Sequence, residues 1–312
     1  MSAKPENLRD FRALLDETIA LVENNSGMPL PQTVQTDEPL PSLLEQCETV
    51  LQRLETRPAE PLRSIHHFAC SGGTLISKCI AASPNVYFFS EIDPLSTHHF
   101  SGHKRPFFPT DLLVDLHYSP RPVDDALKLE FFQAGLEKLH RDLSAVGQHI
   151  VIRDHPHSHF CRGSSVPGRP NLRQILSRIA PVRSVVTVRH PLDSFLSLSA
   201  NKWLHFSPAT LEEYCQRYAL FLKAYRDQPL FRYEDFLEDA PGVLQNILDA
   251  LALEPAPDFS QLRPLFHFSG DSGRNTPRIE PRPRRDIPDA LQHDKDTSPA
   301  YAELCQTLGY DP

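Results

Sequence analysis

The chain has 312 residues, of which 40% are hydrophobic and 23% charged, with a net charge of −8. That balance belongs to a globular protein and excludes wholesale disorder, and the acidic excess argues against nucleic acid as a general partner. No apolar run approaches the length of a membrane span, so no membrane partner is expected.

Residues 1–60 read as a helical extension. Leu8, Phe11, Leu14, Leu15, Thr18 and Ile19 share one helix face, and Leu43, Leu44, Cys47, Val50, Leu51 and Leu54 share another. A Pro-rich polar stretch from Gly27 to Pro41 joins them. The start, Met1 to Asn7, lacks the apolar core of a signal peptide, which makes a cytoplasmic location the expectation. None of the six cysteines forms a Cys-x-x-Cys pair, so neither a disulfide framework nor a zinc knuckle is indicated.

Residues 61–312 read as one α/β domain. Ile65 and Phe68-Ala69 form a short buried strand, and Ser71-Gly72-Gly73-Thr74 follows as a loop of small residues. Leu75, Ile76, Cys79 and Ile80 then share one helix face. A strand, a Gly-rich turn and a helix N-terminus together make an anion cradle, because backbone N–H groups and the positive helix end converge. Val86 to Phe89 is a second strand, and it delivers Glu91 to the edge where α/β proteins bind ligands. Residues 95–122 read as a long irregular loop rich in histidine, proline and aromatic residues. The histidines there lack a regular ligand spacing, so no metal is expected and an acceptor-binding role is preferred.

Val123 to Val146 is a long helix, with Leu127, Phe131, Leu136, Leu139 and Leu143 expected to face the core. His149 to Ile152 is a third strand and presents Arg153-Asp154-His155 at the same edge. Arg183 to Val188 is β-branched and continuous, as in an interior parallel strand. It ends at Arg189-His190-Pro191, where a helix carrying Ser197 begins. Leu211, Tyr214, Cys215, Tyr218, Leu222 and Tyr225 keep helical register, with the tyrosines read as packing. Pro229 to Tyr233 is a last strand, and Ala240 to Leu251 a helix. The alternation implies a parallel sheet with helices on both faces. The tail is locally basic from Arg274 to Arg285, which fits either a solvated segment or an ordered strap over a phosphate.

From about residue 63 to 285 the chain resembles the P-loop sulfotransferase superfamily, which uses 3′-phosphoadenosine 5′-phosphosulfate (PAPS) and releases 3′-phosphoadenosine 5′-phosphate (PAP). Three motifs in family order carry the resemblance. Cys70-Ser71-Gly72-Gly73-Thr74-Leu75 is similar to the phosphosulfate loop. Val188-Arg189-His190-Pro191 with Ser197 is similar to the 3′-phosphate motif, and Arg232 to Phe236 to the Tyr-Glu-Asp segment. In register, the motifs come nearest to the tyrosylprotein sulfotransferases. The resemblance implies a P-loop-type α/β fold and sulfuryl transfer to a hydroxyl or amine of a small-molecule or peptide acceptor. It implies cofactor contacts from Ser71, Gly72, Gly73, Thr74, Leu75, Arg189, Ser197, Tyr233 and Arg274, Glu91 as base, and Arg153 as the cation on the bridging oxygen. His155 is the rival base, because it too follows a strand end.

One departure matters. Cys70 stands where the family usually has Lys or Arg, so either Arg153 or Lys78 supplies the charge, or activity is low. Lys78, a helical turn past the loop, is expected to point away, so Arg153 is the favoured source. Two other readings stand beside sulfuryl transfer: a non-catalytic nucleotide-binding protein, and a P-loop kinase-like phosphotransferase. The second needs Gly-Lys-Ser/Thr, and here Gly73 is followed by Thr74-Leu75.

Overall fold

The computed structural model of the chain describes residues 42, 59–98, 108, 110–121, 123–256, 258–268 and 279–312. The chain divides into two units, Met1–Pro58 and Ala59–Pro312. The second unit holds the sheet and its helices. The two amphipathic helices expected within residues 8–54 lie outside the described residues.

Five parallel strands form the central sheet: β1 (Leu62–His67), β2 (Val86–Ile92), β3 (His149–Asp154), β5 (Val182–Val188) and β7 (Leu230–Arg232), in the order β2-β3-β1-β5-β7. Among the described residues, two further short strands, β4 (Arg162–Gly163) and β6 (His205–Phe206), pair only with each other. β1 is buried along its whole length, as its central place in the sheet requires. The helices are α1 (Gly73–Ala81), α2 (Leu112–His117), α3 (Asp125–Ala145), α4 (Pro156–Phe160), α5 (Leu172–Leu176), α6 (Pro191–Ala200) and α7 (Leu211–Ala224). They continue with α8 (Tyr233–Glu238), α9 (Ala240–Leu251), α10 (Phe259–Leu262), α11 (Asp289–Thr297) and α12 (Pro299–Leu308).

On one side of the sheet, Ile65, Val151 and Val185 pack against Ile76 and Ile80 of α1, Phe236 of α8, and Ile247, Leu248 and Leu251 of α9. Elsewhere Phe68, Val186 and Val188 pack against α6, α7 and α12 through Leu192, Tyr214, Phe221 and Tyr301. Burying each side chain of this size contributes about 1.5–3 kcal/mol, which fixes both layers. The tyrosines of α7 are packing residues, as expected, and two of them also brace the loop edge: the Tyr214 hydroxyl donates to the Ala69 carbonyl at 3.0 Å, and the Tyr218 hydroxyl accepts from the Arg189 amide at 3.1 Å.

The structure corrects three expectations. The buried face of α3 is Leu129, Leu136 and His140, with Phe132 and Leu143 beside it, whereas Leu127, Phe131 and Leu139 are exposed. The spacing of either set suits a helix; the side that meets β3 and α5 is decided by tertiary packing. β7 ends at Arg232, so Tyr233 opens α8 and does not close a strand. Within the supposed irregular stretch 95–122, Asp111 caps the short helix α2 by accepting from the amides of Leu113 and Val114.

Candidate functional site

β1, β2, β3 and β5 all release their chains at the same edge of the sheet, and a cleft of about 910 Å³ opens there. The turn after β1 forms its floor. Cys70 and Gly72 both adopt left-handed backbone, with φ of 61° and 83°. Gly72 is the N-cap of α1. A Cβ on Gly72 would lie 2.3 Å from Cδ2 of Tyr233, and a Cβ on Gly73 would lie 2.2 Å from Cγ of His67. Both positions therefore require glycine, because an aromatic ring is seated on each.

Ser71 and Leu75 line the cleft but are committed to the turn. The Ser71 hydroxyl and amide both donate to the Phe68 carbonyl, at 2.8 and 3.2 Å. The Leu75 amide donates to the Gly72 carbonyl at 3.1 Å, and its side chain belongs to the core. These bonds shape the loop while both residues stay on the cleft wall. Gly72, Gly73 and Thr74 line the cleft beside them.

Arg153, at the end of β3, is 3% exposed by side chain and joins the parts of the site. Its guanidinium donates to the Thr74 hydroxyl at 2.8 Å and the Ser90 hydroxyl at 3.2 Å, and pairs with Glu91 Oε1 at 3.1 Å. It also donates from Nε to Nε2 of His67 at 3.2 Å. That contact fixes His67 as an Nε2 acceptor, consistent with burial and the adjacent Arg153 charge holding its pKa well below the usual histidine range. Glu91 sits at an irregularity in the β2–β3 register with a φ of 58°. A non-glycine residue costs about 1 kcal/mol or more there, and such strain concentrates at functional positions. His155 follows β3 and lines the same cleft; burial lowers its pKa, partly offset by Glu91.

On the β5 side, Nη1 of Arg189 donates to the Cys70 carbonyl at 3.3 Å, and its guanidinium lies 5.4 Å from the centre of the Tyr233 ring. The first and third motifs thus meet through Tyr233, and the second joins them through Arg189. Ser197 lies on α6 against the Cys70 thiol, which burial pushes up to about 11. Cys70 is therefore a neutral residue at the mouth of the loop. Glu234 ties the elements together from below: it accepts from the His190 amide at 3.1 Å and from the Tyr310 hydroxyl at 2.6 Å.

Several cleft residues are not apparent from sequence. Lys78 lines the cleft, contrary to the expectation that it points away, because α1 runs along the cavity wall. Arg263 also lines it, from a turn with no recognisable motif. Arg282, Arg284 and Arg285 do so from the C-terminal strap, and Arg284 is anchored to Asp193 at 2.8 Å. The basic tail is the visible signal for these three. Arg274 lies outside the described residues. Seven Lys and Arg residues against four carboxylates line the cleft, a local cationic excess in a chain of net charge −8 that favours an anionic ligand.

Two histidine arrangements accompany the site. Ser64, His66 and Asp154 form a relay, with Ser64 Oγ 2.9 Å from His66 Nε2 and His66 Nδ1 2.7 Å from Asp154 Oδ2. Ser64 is fully buried and also bonded to Ser184 at 2.7 Å, so the relay braces the sheet and no substrate reaches the hydroxyl. The second is a cluster of His98, His157 and His205, each with a ring nitrogen within 4.8 Å of the others. Burial, and then the neighbouring imidazoles, lower the His157 pKa to about 2.

No protein-family profile and no curated protein matches the sequence. Among solved structures, the chain is similar to the sulfotransferase domain of the olefin synthase of Synechococcus PCC 7002, with a TM-score of 0.50 and 18% identity over 83% of this chain and 98% of that one. It is also similar to the sulfotransferase domain of the curacin biosynthetic pathway, with a TM-score of 0.46 and 13% identity over 82% of this chain and 99% of that one. A sulfotransferase from Alicyclobacillus acidocaldarius aligns at a TM-score of 0.41 and 13% identity, over 81% of this chain and 98% of that one. The five-stranded parallel sheet with flanking helices is a sulfotransferase-type fold. Among the described residues, no helix is long and apolar enough to cross a membrane.

Proposed function

We propose that the cleft binds PAPS and transfers its sulfuryl group to a hydroxyl or amine of a small-molecule or peptide acceptor. The observation that carries this reading is the position of Arg153. One buried guanidinium contacts both the loop hydroxyl of Thr74 and the Glu91 carboxylate. A cation in that place would neutralise charge on the bridging oxygen of the donor while aligning a base for the acceptor proton. It would also supply what the neutral Cys70 does not.

The roles follow from this. Gly72, Gly73 and Thr74 hold the 5′-phosphosulfate at the start of α1. Arg189 and Ser197 hold the 3′-phosphate, with Arg285 closing from the strap. Tyr233, braced on Gly72, faces the nucleotide. Glu91 takes the acceptor proton; the S–O bond to the bridging oxygen breaks as the acceptor oxygen or nitrogen attacks in line, and PAP leaves. His155 is the alternative base.

A second reading, a nucleotide-binding protein without turnover, is favoured by one observation: the uncharged Cys70 thiol at the loop mouth. Transfer from labelled PAPS to a panel of hydroxyl and amine acceptors separates the two. Sulfuryl transfer is expected, and Glu91→Gln should lower kcat by about 10²–10⁴-fold while PAP affinity stays close to wild type. Tight PAP binding with no transfer to any acceptor would favour the binding protein.

A further inference from the structure

The pairing of β4 with β6 is only two residues long on each side, yet it has a specific result. It carries His205 to α4, where Nε2 of His157 lies 2.9 Å from Nδ1 of His205. His98, from the loop after β2, faces both, its ring centre 5.0 Å from that of His157 and 4.9 Å from that of His205. Three imidazoles from three separate segments thus converge on one point. The frame beneath them is pinned. Arg217 is 1% exposed, pairs with Glu213 at 2.6 Å, and donates to the carbonyls of Phe160, Arg162 and Gly163 at 2.9, 3.1 and 3.0 Å.

We propose that His98, His157 and His205 form a binding site for a divalent transition metal of the Zn²⁺ type. Imidazole nitrogen is a preferred ligand of Zn²⁺. Zn–N bonds of about 2.0–2.1 Å hold tetrahedral ligands about 3.4 Å from one another. The His157 and His205 nitrogens are 2.9 Å apart and all three ligand atoms lie within 4.8 Å of one another, a range that includes that distance. A hydrogen-bonded pair needs only His157 and His205, whereas a third imidazole brought to the same point completes a ligand set. Three protein ligands leave a fourth position for water or for an oxygen of a bound molecule. His98 and His157 line the same cleft as Glu91 and Arg153, so the ion would border that cleft. It would also fasten the loop after β2 to α4 and β6. The sequence conceals this site because only His98 belongs to the histidine-rich stretch; the other ligands arrive through the β4–β6 pairing. The site does not depend on the sulfuryl-transfer reading.

The test uses the full-length protein freed of metal by dialysis against a chelator. It is titrated with ZnCl₂ by calorimetry, and with CoCl₂ followed by visible absorption. One ion per chain is expected, with the intense visible bands of four-coordinate Co²⁺. His205→Ala and His98→Ala should each weaken Zn²⁺ binding by about tenfold or more. His205 is exposed, so its removal leaves the core intact, and an unchanged far-ultraviolet dichroism spectrum verifies this. Failure to bind one Zn²⁺ per chain, or equal Zn²⁺ affinity in the wild type and both variants, would overturn the proposal.

Discussion

At the scale of single residues, the site is made by a few side chains that each serve two partners. Arg153 serves Thr74 and Glu91; Tyr233 covers Gly72 and lies beside Arg189. Gly72 is the most constrained of them. Its φ of 83° disfavours any side chain, and the space a methyl would take is filled by the Tyr233 ring. Gly72→Ala should therefore lower stability by about 1–3 kcal/mol, seen as a lower denaturation midpoint, and weaken PAP binding more than a matched Gly→Ala change at open Gly168. Equal effects at the two positions would show that the ring does not constrain the loop. The glycines and Arg189 are legible in the sequence because their chemistry is local. The engagement of Ser71 and Leu75 inside the turn is not, because it depends on where the Phe68 and Gly72 carbonyls point.

At the scale of elements, the strand edge gathers what the sequence disperses. The strands of the main sheet are readable from β-branched and apolar runs, the helices α1 and α7 from their periodicity, and α6 from Pro191 at its start. The orientation of α3 is not, since Leu127 and Leu129 both suit a helical stripe and only the packing against β3 and α5 selects Leu129. The C-terminal strap is the element whose role the sequence defines least. Its arginines lie along the cleft wall, held by the Arg284–Asp193 pair. Arg285 is exposed, so its contribution is a screened one. Arg285→Ala should weaken PAP binding by about threefold at low ionic strength, and the difference from wild type should shrink as salt rises. A difference that persists unchanged at high salt would argue that the strap acts by shape instead of charge.

At the scale of the whole molecule, the fold places a cationic cleft in an acidic protein and buries neutral groups beneath it. His67 is the clearest case: its folded-state pKa is well below the ordinary 6.5. The unfolded chain therefore binds the proton that the native state refuses, and stability falls as pH drops below about 6.5, by up to about 1.4 kcal/mol per pH unit. Urea denaturation at pH 7.5 and 5.0 should show a smaller loss for His67→Gln than for wild type; an equal loss would mean that His67 is not the group responsible. Sequence alone carries the fold class and two sides of the cleft, through the loop after β1 and the Arg189–Ser197 pair. The third side shows there only as the basic tail, because Lys78 and Arg263 meet the cavity through tertiary packing. On the proposed reading, this cleft recognises a 3′-phosphate. Calorimetry with PAP and ADP on the wild type and Arg189→Ala tests it most directly. PAP should bind the wild type at least about tenfold more tightly than ADP, the worth of a charge-assisted contact, and Arg189→Ala should erase most of that preference. PAP binding no tighter than ADP in the wild type would contradict the account.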